Sequence, residues 1–259
     1  MLPFCNITNI YKRKGNRNVM DAYRGVFRVV IFRSILEKLI YNDEYKNIDD
    51  NLTDCNVGAR KKRNIRDHLF VINAIINSVK RGPEDPVDIG VFDVNKCFDS
   101  LWVEDCINDM FEAGLRNDKL PLLYKMNQNA NIAIKNSWGL TERTNIRNII
   151  MQGTTWGSIF CTTSMDKLGQ NIYQNEKLLY KYKGCVNVPP LEMVDDIASV
   201  SKCGITSSAV NEEINSFIEH KKLTFGLTKC AKIHIGKKCD ECPQYVVQYM
   251  LIERLGTKK

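Results

Sequence analysis

Asp195 and Asp196 stand side by side in LEMVDDIASVS, residues 191–201, inside a run that otherwise reads as buried strand. Adjacent carboxylates repel, and removal from water strengthens the repulsion. Exposure at a turn relieves it, and so does a divalent cation. A third carboxylate, Asp93, ends a β-branched run, VDIGVFD at 87–93. If the two strands are neighbours, three acidic side chains converge with no His or Cys beside them. Hard oxygen donors of this kind favour Mg²⁺. Two such ions about 3.5–4 Å apart clamp the attacking and leaving oxygens of a phosphoryl transfer. An aspartate doublet alone is more often a turn whose side chains cap backbone donors. The company it keeps therefore decides the reading.

The elements that must position these carboxylates form an α+β pattern. In residues 64–82, Ile65, Leu69, Ile72, Ile76 and Val79 recur at helical spacing, and Gly82-Pro83 ends the run. Residues 87–93 read as a buried strand, followed by a helix from about 101 to 113. Residues 131–149 read as a hairpin around Trp138-Gly139. QGTTWGS, residues 152–158, is a glycine-bearing turn opening a helix to about 175. Residues 191–201 form two short strands with Asp195 and Asp196 at or beside the turn. A helix over about 206–221 and a strand over 228–236 follow. Paired strands packed on helices are expected. Residues 1–60 read as mixed, with an apolar stretch from Val26 to Ile40.

The chain has 259 residues, 44% hydrophobic and 26% charged, a globular balance rather than a disordered one. Its net charge of +7 is unevenly spread. KRKGNR at 12–17 and RKKRNIR at 60–66 lie in the first quarter of the chain. One basic cluster is usually a solvated face, but two ahead of a carboxylate site point to a polyanion partner. No run of about 18 apolar residues predicts a membrane span. The N-terminal residues lack the long apolar core of a secretory signal. Ten scattered cysteines in a chain of this size then read as reduced thiols. An intracellular place follows, in the nucleus or a cytoplasmic ribonucleoprotein.

The motifs in order resemble those of reverse transcriptases, and most closely the non-LTR (LINE-type) retrotransposon group. IYKRKGNRNVMDAYRGV (10–26) resembles the first fingers motif, and NVGARKKRNIRDHLFVINAI (56–75) the second. FDVNKCFDSLW (92–102) resembles motif A, MQGTTWGS (151–158) motif B, MVDD (193–196) motif C and LTFGLTKC (223–230) motif D. ERLG (253–256) resembles a worn thumb-proximal motif. The resemblance spans nearly the whole chain. It implies a right-hand polymerase: fingers over roughly 1–86 and 118–150, and an antiparallel palm sheet backed by helices over roughly 87–117 and 151–259. Thumb, endonuclease and zinc knuckle are not expected within the chain.

The activity implied is RNA-directed DNA polymerisation, with RNA template, DNA primer and deoxynucleotides as partners. Asp93 and Asp195 would be the main ligands of two Mg²⁺ ions, with Mn²⁺ as an alternative. Asp196 would assist, and the Val94 carbonyl would complete one shell. Phe98 would lie under the incoming sugar and exclude a 2′-hydroxyl. Lys12 and Arg24 would pair with the triphosphate, with Arg13 and Lys14 able to replace Lys12. Gln152 and Gly153 would approach nucleotide or template, although the proline common near this point in related enzymes is absent. Lys229 matches the motif D lysine, a general acid for pyrophosphate, with Lys232 as the alternative register. Arg60, Lys61, Lys62, Arg63 and Arg66 would track template phosphates. Cys230, His234, Cys239 and Cys242 offer soft ligands for Zn²⁺, but at spacings unlike ordinary zinc modules, so free thiols are expected. A remnant that binds nucleic acid without catalysis is the alternative reading.

Overall fold

The computed structural model describes residues 4–82, 85–116, 118–202 and 204–237, and the backbone of 246–247, 250–251 and 254–255. In chain order the elements are β1 (Phe4–Tyr11), β2 (Tyr23–Val29), α1 (Ile31–Asn51), α2 (Ile65–Arg81), β3 (Val87–Asp93), α3 (Cys97–Ser100), α4 (Val103–Glu112), α5 (Leu120–Asn127), β4 (Gln128–Asn136), β5 (Gly139–Leu140), β6 (Thr144–Asn148), α6 (Thr155–Gln174), β7 (Tyr180–Tyr182), β8 (Val186–Val188), β9 (Leu191–Met193), β10 (Asp196–Lys202), α7 (Ile205–His220) and β11 (Ala231–Ile235). Two compact units share them. One comprises residues 1–52 and 98–164, the other 53–97 and 165–259.

In the second unit β9, β10, β3 and β11 pair antiparallel in that order. The backbone of Arg254–Leu255 runs parallel beside β11; the rest of the ERLG segment lies outside the described residues. Strand alternation sends Val87 and Ile89 of β3 to one face. There they join Val200, Ile235, Leu191, Tyr180 and Val188, and α2 lays Ile75 and Val79 on the same cluster. The start of α2 is fixed by a reciprocal cap. The Asn64 side chain accepts from Arg66 N at 2.8 Å, and Asp67 accepts from Asn64 N at 3.3 Å. On the other face of β3, Phe92 packs its ring 5.8 Å from that of Phe225.

Asp88, also on that face, is buried between Lys232 Nζ and His234 Nδ1, each at 2.8 Å. Burial pushes the Asp88 carboxyl up, but bonds from Lys232 and His234 outweigh it and hold the group below its ordinary value.

In the first unit β1 pairs antiparallel with β2 and parallel with β4, which takes β5 and β6 antiparallel. Cys5, Phe27, Ala130, Ile132, Ile149 and Met151 form its apolar centre. The buried side of α1 is unusual, because Arg33, Glu37 and Glu44 line it with Ile40 and Ile48. Arg33 Nε bonds Glu37 Oε1 at 2.7 Å, and its Nη atoms reach Met126 O and Asn127 Oδ1. Ile31, Phe32, Ile35 and Leu39 face outward.

The helix expected over 101–113 is α4, and a short break at Leu101 and Trp102 separates it from α3. Asn148 takes over the break: its side chain accepts from Val103 N at 2.7 Å and donates to Leu101 O at 3.0 Å. The units also cut the chain differently from the fingers and palm boundaries read from sequence. Residues 53–86 belong with the carboxylate strands because α2 packs on β3, and 98–117 belong with the other unit. No helix among the described residues is long and apolar enough to cross a membrane.

Candidate active site

The β3–β10 register places Asp93 directly opposite Asp196. Asp195 sits one residue earlier, in the turn that joins β9 to β10. The three carboxylates therefore meet at one end of the strand pair. Burial, then Asp196 and Asp93, push the Asp195 carboxyl up to about 6, against a smaller lowering by Lys229. Burial and Asp93 raise Asp196 as well.

Lys229 answers part of this charge. Its Nζ lies 2.7 Å from both Asp93 oxygens. A short 3-10 turn, Leu227–Lys229, delivers it. That turn is tied to the end of β3: Gly226 N donates to Asp93 O at 2.8 Å, and Asn95 N donates to Thr224 O at 2.7 Å. Any Cβ on Gly226 would run into Asp93 Oδ2. Buried Val94 bridges to Phe225 in the same place. Between the two candidate lysines, Lys229 faces Asp93, whereas Lys232 is spent on Asp88.

The donor chemistry fits a hard divalent cation: all-oxygen donors, with two carboxylates raised by burial and mutual repulsion. The spacing is not that of a ready-made cluster. Among the described residues no group of three or more His, Cys, Asp or Glu side chains is arranged to hold a metal ion. Lys229 would have to yield Asp93 to an incoming ion.

The nucleotide-side candidates belong to the other unit. Lys12 and Arg24 are exposed on the β1–β2 hairpin, where Arg24 pairs with Ile10. Lys12 Nζ donates to Asp21 O at 2.9 Å. Phe27 N donates to Gln152 O at 2.9 Å, which ties the QGTT turn to the strand bearing Arg24. Gly153 has φ +96°, and a Cβ there would come 2.8 Å from Val26 Cγ1. Phe98 is half-buried in α3.

The basic cluster divides. Lys61, Lys62 and Arg66 are exposed, and Arg63 pairs with Asp54 at 2.7 Å. Arg60 is a correction to the phosphate-tracking set. It is 7% exposed, and Nη1 donates to Thr53 O and Asn56 O. Its charge is held by backbone carbonyls inside the fold. The zinc set also loses a member. His234 bonds Asp88 through Nδ1 and Lys237 O through Nε2 at 3.0 Å. Cys239 and Cys242 lie outside the described residues.

Glu37 and Asn56 were not picked out from sequence. Glu37 Oε2 accepts from Thr155 N at 3.2 Å, and Glu37 O accepts from Trp156 Nε1 at 3.0 Å, anchoring the start of α6. Asn56 bonds the β9–β10 turn. A glutamate within an apolar stretch, and an asparagine ahead of a glycine, were the only signals available.

No family model matches the chain, and no curated protein matches it in sequence. Solved structures do. Apo telomerase from Candida tropicalis truncated from its C-terminal domain superposes with TM-score 0.65 at 14% identity, over 92% of this chain and 51% of that one. Telomerase from Candida albicans in complex with a TWJ fragment of telomeric RNA gives 0.60 at 14%, over 91% and 42%. The chain thus spans about half the length of the first structure and less of the second. At this identity the likeness is one of fold. The fold is α+β, with an antiparallel sheet backed by helices, and is like that of these telomerase structures.

Proposed function

We propose that the chain is the core of an RNA-directed DNA polymerase, joining a deoxynucleotide to a primer 3′-hydroxyl on an RNA template. The observation that carries this reading is the pairing of Asp93 with Asp196, with Asp195 in the adjoining turn and Lys229 on Asp93. In the transfer, the 3′-hydroxyl gives up its proton to water, a bond forms between the 3′-oxygen and the α-phosphorus, and the bond to pyrophosphate breaks. Asp93 and Asp195, with Asp196 and the Val94 carbonyl, would hold Mg²⁺, or Mn²⁺. When bound, the metal supplies charge neutralisation at the hydroxyl and the triphosphate.

The chain's own residues do the rest. Lys229 gives its proton to the departing pyrophosphate. Lys12 and Arg24 offset triphosphate charge, and Arg24 can do so with two parallel bonds. Gln152 and Gly153 present backbone and amide to the nucleotide. Phe98 fills the space that a 2′-hydroxyl would need. Lys61, Lys62, Arg63 and Arg66 follow template phosphates. The order of motifs supports an origin in a mobile element of the non-LTR type.

Binding without catalysis is the second reading, favoured by the Lys229 ammonium that takes both oxygens of Asp93. The test is single-nucleotide extension of a DNA primer on RNA with Mg²⁺. The polymerase reading expects deoxynucleotide but not ribonucleotide incorporation, and Phe98→Ala should admit the ribonucleotide. Tight RNA binding with no incorporation would favour the second reading.

A further inference from the structure

The turn bearing Asp195 and Asp196 does not hold its own shape. Val194, just before them, has φ +62°. A β-branched residue rarely adopts this left-handed conformation unless its surroundings over-determine it. Here they do, from the loop that precedes α2. Asn56 is fully buried, at 0% exposure. Its Oδ1 accepts from Val194 N at 3.1 Å and from Gly58 N at 2.9 Å. Its Nδ2 donates to Val194 O at 3.0 Å and to Glu192 Oε2 at 3.2 Å. Backbone N–H groups can only donate and a carbonyl can only accept, so the amide has one workable orientation.

One side chain thus bonds both the N–H and the C=O of Val194. That fixes the peptide planes on both sides of the residue, and with them the direction in which Asp195 leaves. The surrounding backbone reinforces the clamp. Glu192 N donates to Cys55 O at 2.8 Å, and Val57 N donates to Glu192 O at 3.0 Å. Gly58 lies so close that a Cβ would come 2.5 Å from both Val194 N and Val194 Cγ2. Arg60 braces the loop through the carbonyls of Thr53 and Asn56. An amide that only filled a buried space would not need to take both polar groups of one strained residue.

We propose that Asn56 is the positioning residue of the Asp195–Asp196 turn, holding Val194 left-handed so that the two carboxylates lie where nucleotidyl transfer needs them. The role rests on the polymerase reading above.

The test compares the intact chain with Asn56→Ala and with Asn56→Ala/Val194→Gly. Three quantities are read: hydrogen exchange at the Val194 amide, single-turnover incorporation with Mg²⁺, and RNA binding. Asn56→Ala should speed Val194 exchange by at least about 10-fold, because its acceptor is gone. Incorporation should slow by about 10²-fold, as for a small misplacement of reacting groups, with RNA affinity unchanged. Adding Val194→Gly should recover roughly 10-fold, since glycine takes positive φ without the steric cost. Unchanged Val194 exchange, incorporation that survives the loss of protection, or no recovery with glycine would each overturn the proposal. If Asn56→Ala does not fold, Asn56→Leu carries the same comparison, because it keeps the volume but loses the acceptor and both donations. If the intact chain incorporates nothing, the polymerase reading fails, and Val194 exchange alone decides whether Asn56 holds the turn.

Discussion

Lys229 and Glu192 show how differently two charged groups near one turn behave. The Lys229–Asp93 pair is open to solvent on the lysine side, with 56% of that side chain exposed. Exposed pairs contribute little to stability. Lys229→Gln should therefore leave the unfolding midpoint nearly unchanged while slowing single-turnover incorporation by about 10²-fold. A large fall in the midpoint with unchanged chemistry would make Lys229 a structural residue instead. Glu192 is fully buried. Burial first, and the Asp166 carboxylate second, hold its carboxyl well above the ordinary 4.5, against smaller lowering by Asn56 and the Gly169 backbone. The folded chain thus keeps a proton that the unfolded chain releases. This contribution is fully present below pH 4.5 and is lost as pH rises toward the folded value, by up to about 1.4 kcal/mol per pH unit. Glu192→Gln should flatten that decline in denaturant titrations run at several pH values. A slope identical in both proteins would place the lost proton elsewhere.

At the scale of elements, α1 is the helix whose interior contradicts its composition. Arg33 and Glu37 are buried as a pair, and Glu37 also caps the start of α6. Arg33→Met leaves a buried carboxylate without its partner and should destabilise the chain by about 3–5 kcal/mol in denaturant unfolding. A loss under 1 kcal/mol would mean that Glu37 finds another partner. The same inversion explains what the sequence hid. Periodicity reads helices by their apolar face, and α2 obeys it in its second half, where Ile72, Ile76 and Val79 join Ile75 on the core side, while Ile65 and Leu69 are exposed. In α1, Ile31, Phe32, Ile35 and Leu39 are exposed while charges face in, so 26–40 looked like an unassigned apolar stretch. β3 and β10 were legible because β-branched runs end in acids at a turn. The sequence offers these strands as neighbours only as a condition, and the sheet supplies the antiparallel register that sets Asp93 against Asp196. Lys229 and Lys232 could not be told apart by spacing, since one lies in a 3-10 turn and the other on a strand facing Asp88. Arg60 looked like its basic neighbours because sequence does not reveal which guanidinium turns inward onto carbonyls.

Across the whole molecule, the net charge of +7 and the exposed Lys61, Lys62 and Arg66 would, on the proposed reading, make RNA affinity a salt-dependent quantity. Replacing these three with glutamine should reduce the slope of log affinity against log salt by about 2 on single-stranded RNA. Arg60→Gln should leave that slope alone and lower the unfolding midpoint instead, because it frees buried carbonyls. Equal salt effects from both changes would return Arg60 to the phosphate-tracking set. On the proposed reading, the carboxylates gathered by β3, β10 and their turn perform polymerisation. The most direct measurement is primer extension on an RNA template with Mg²⁺ and deoxynucleotides, comparing the intact chain with Asp195→Asn/Asp196→Asn at matched RNA binding. Extension by the intact chain and none by the double variant is the expected outcome. Equal extension by both would contradict it, and so would RNA binding by the intact chain with no extension at all.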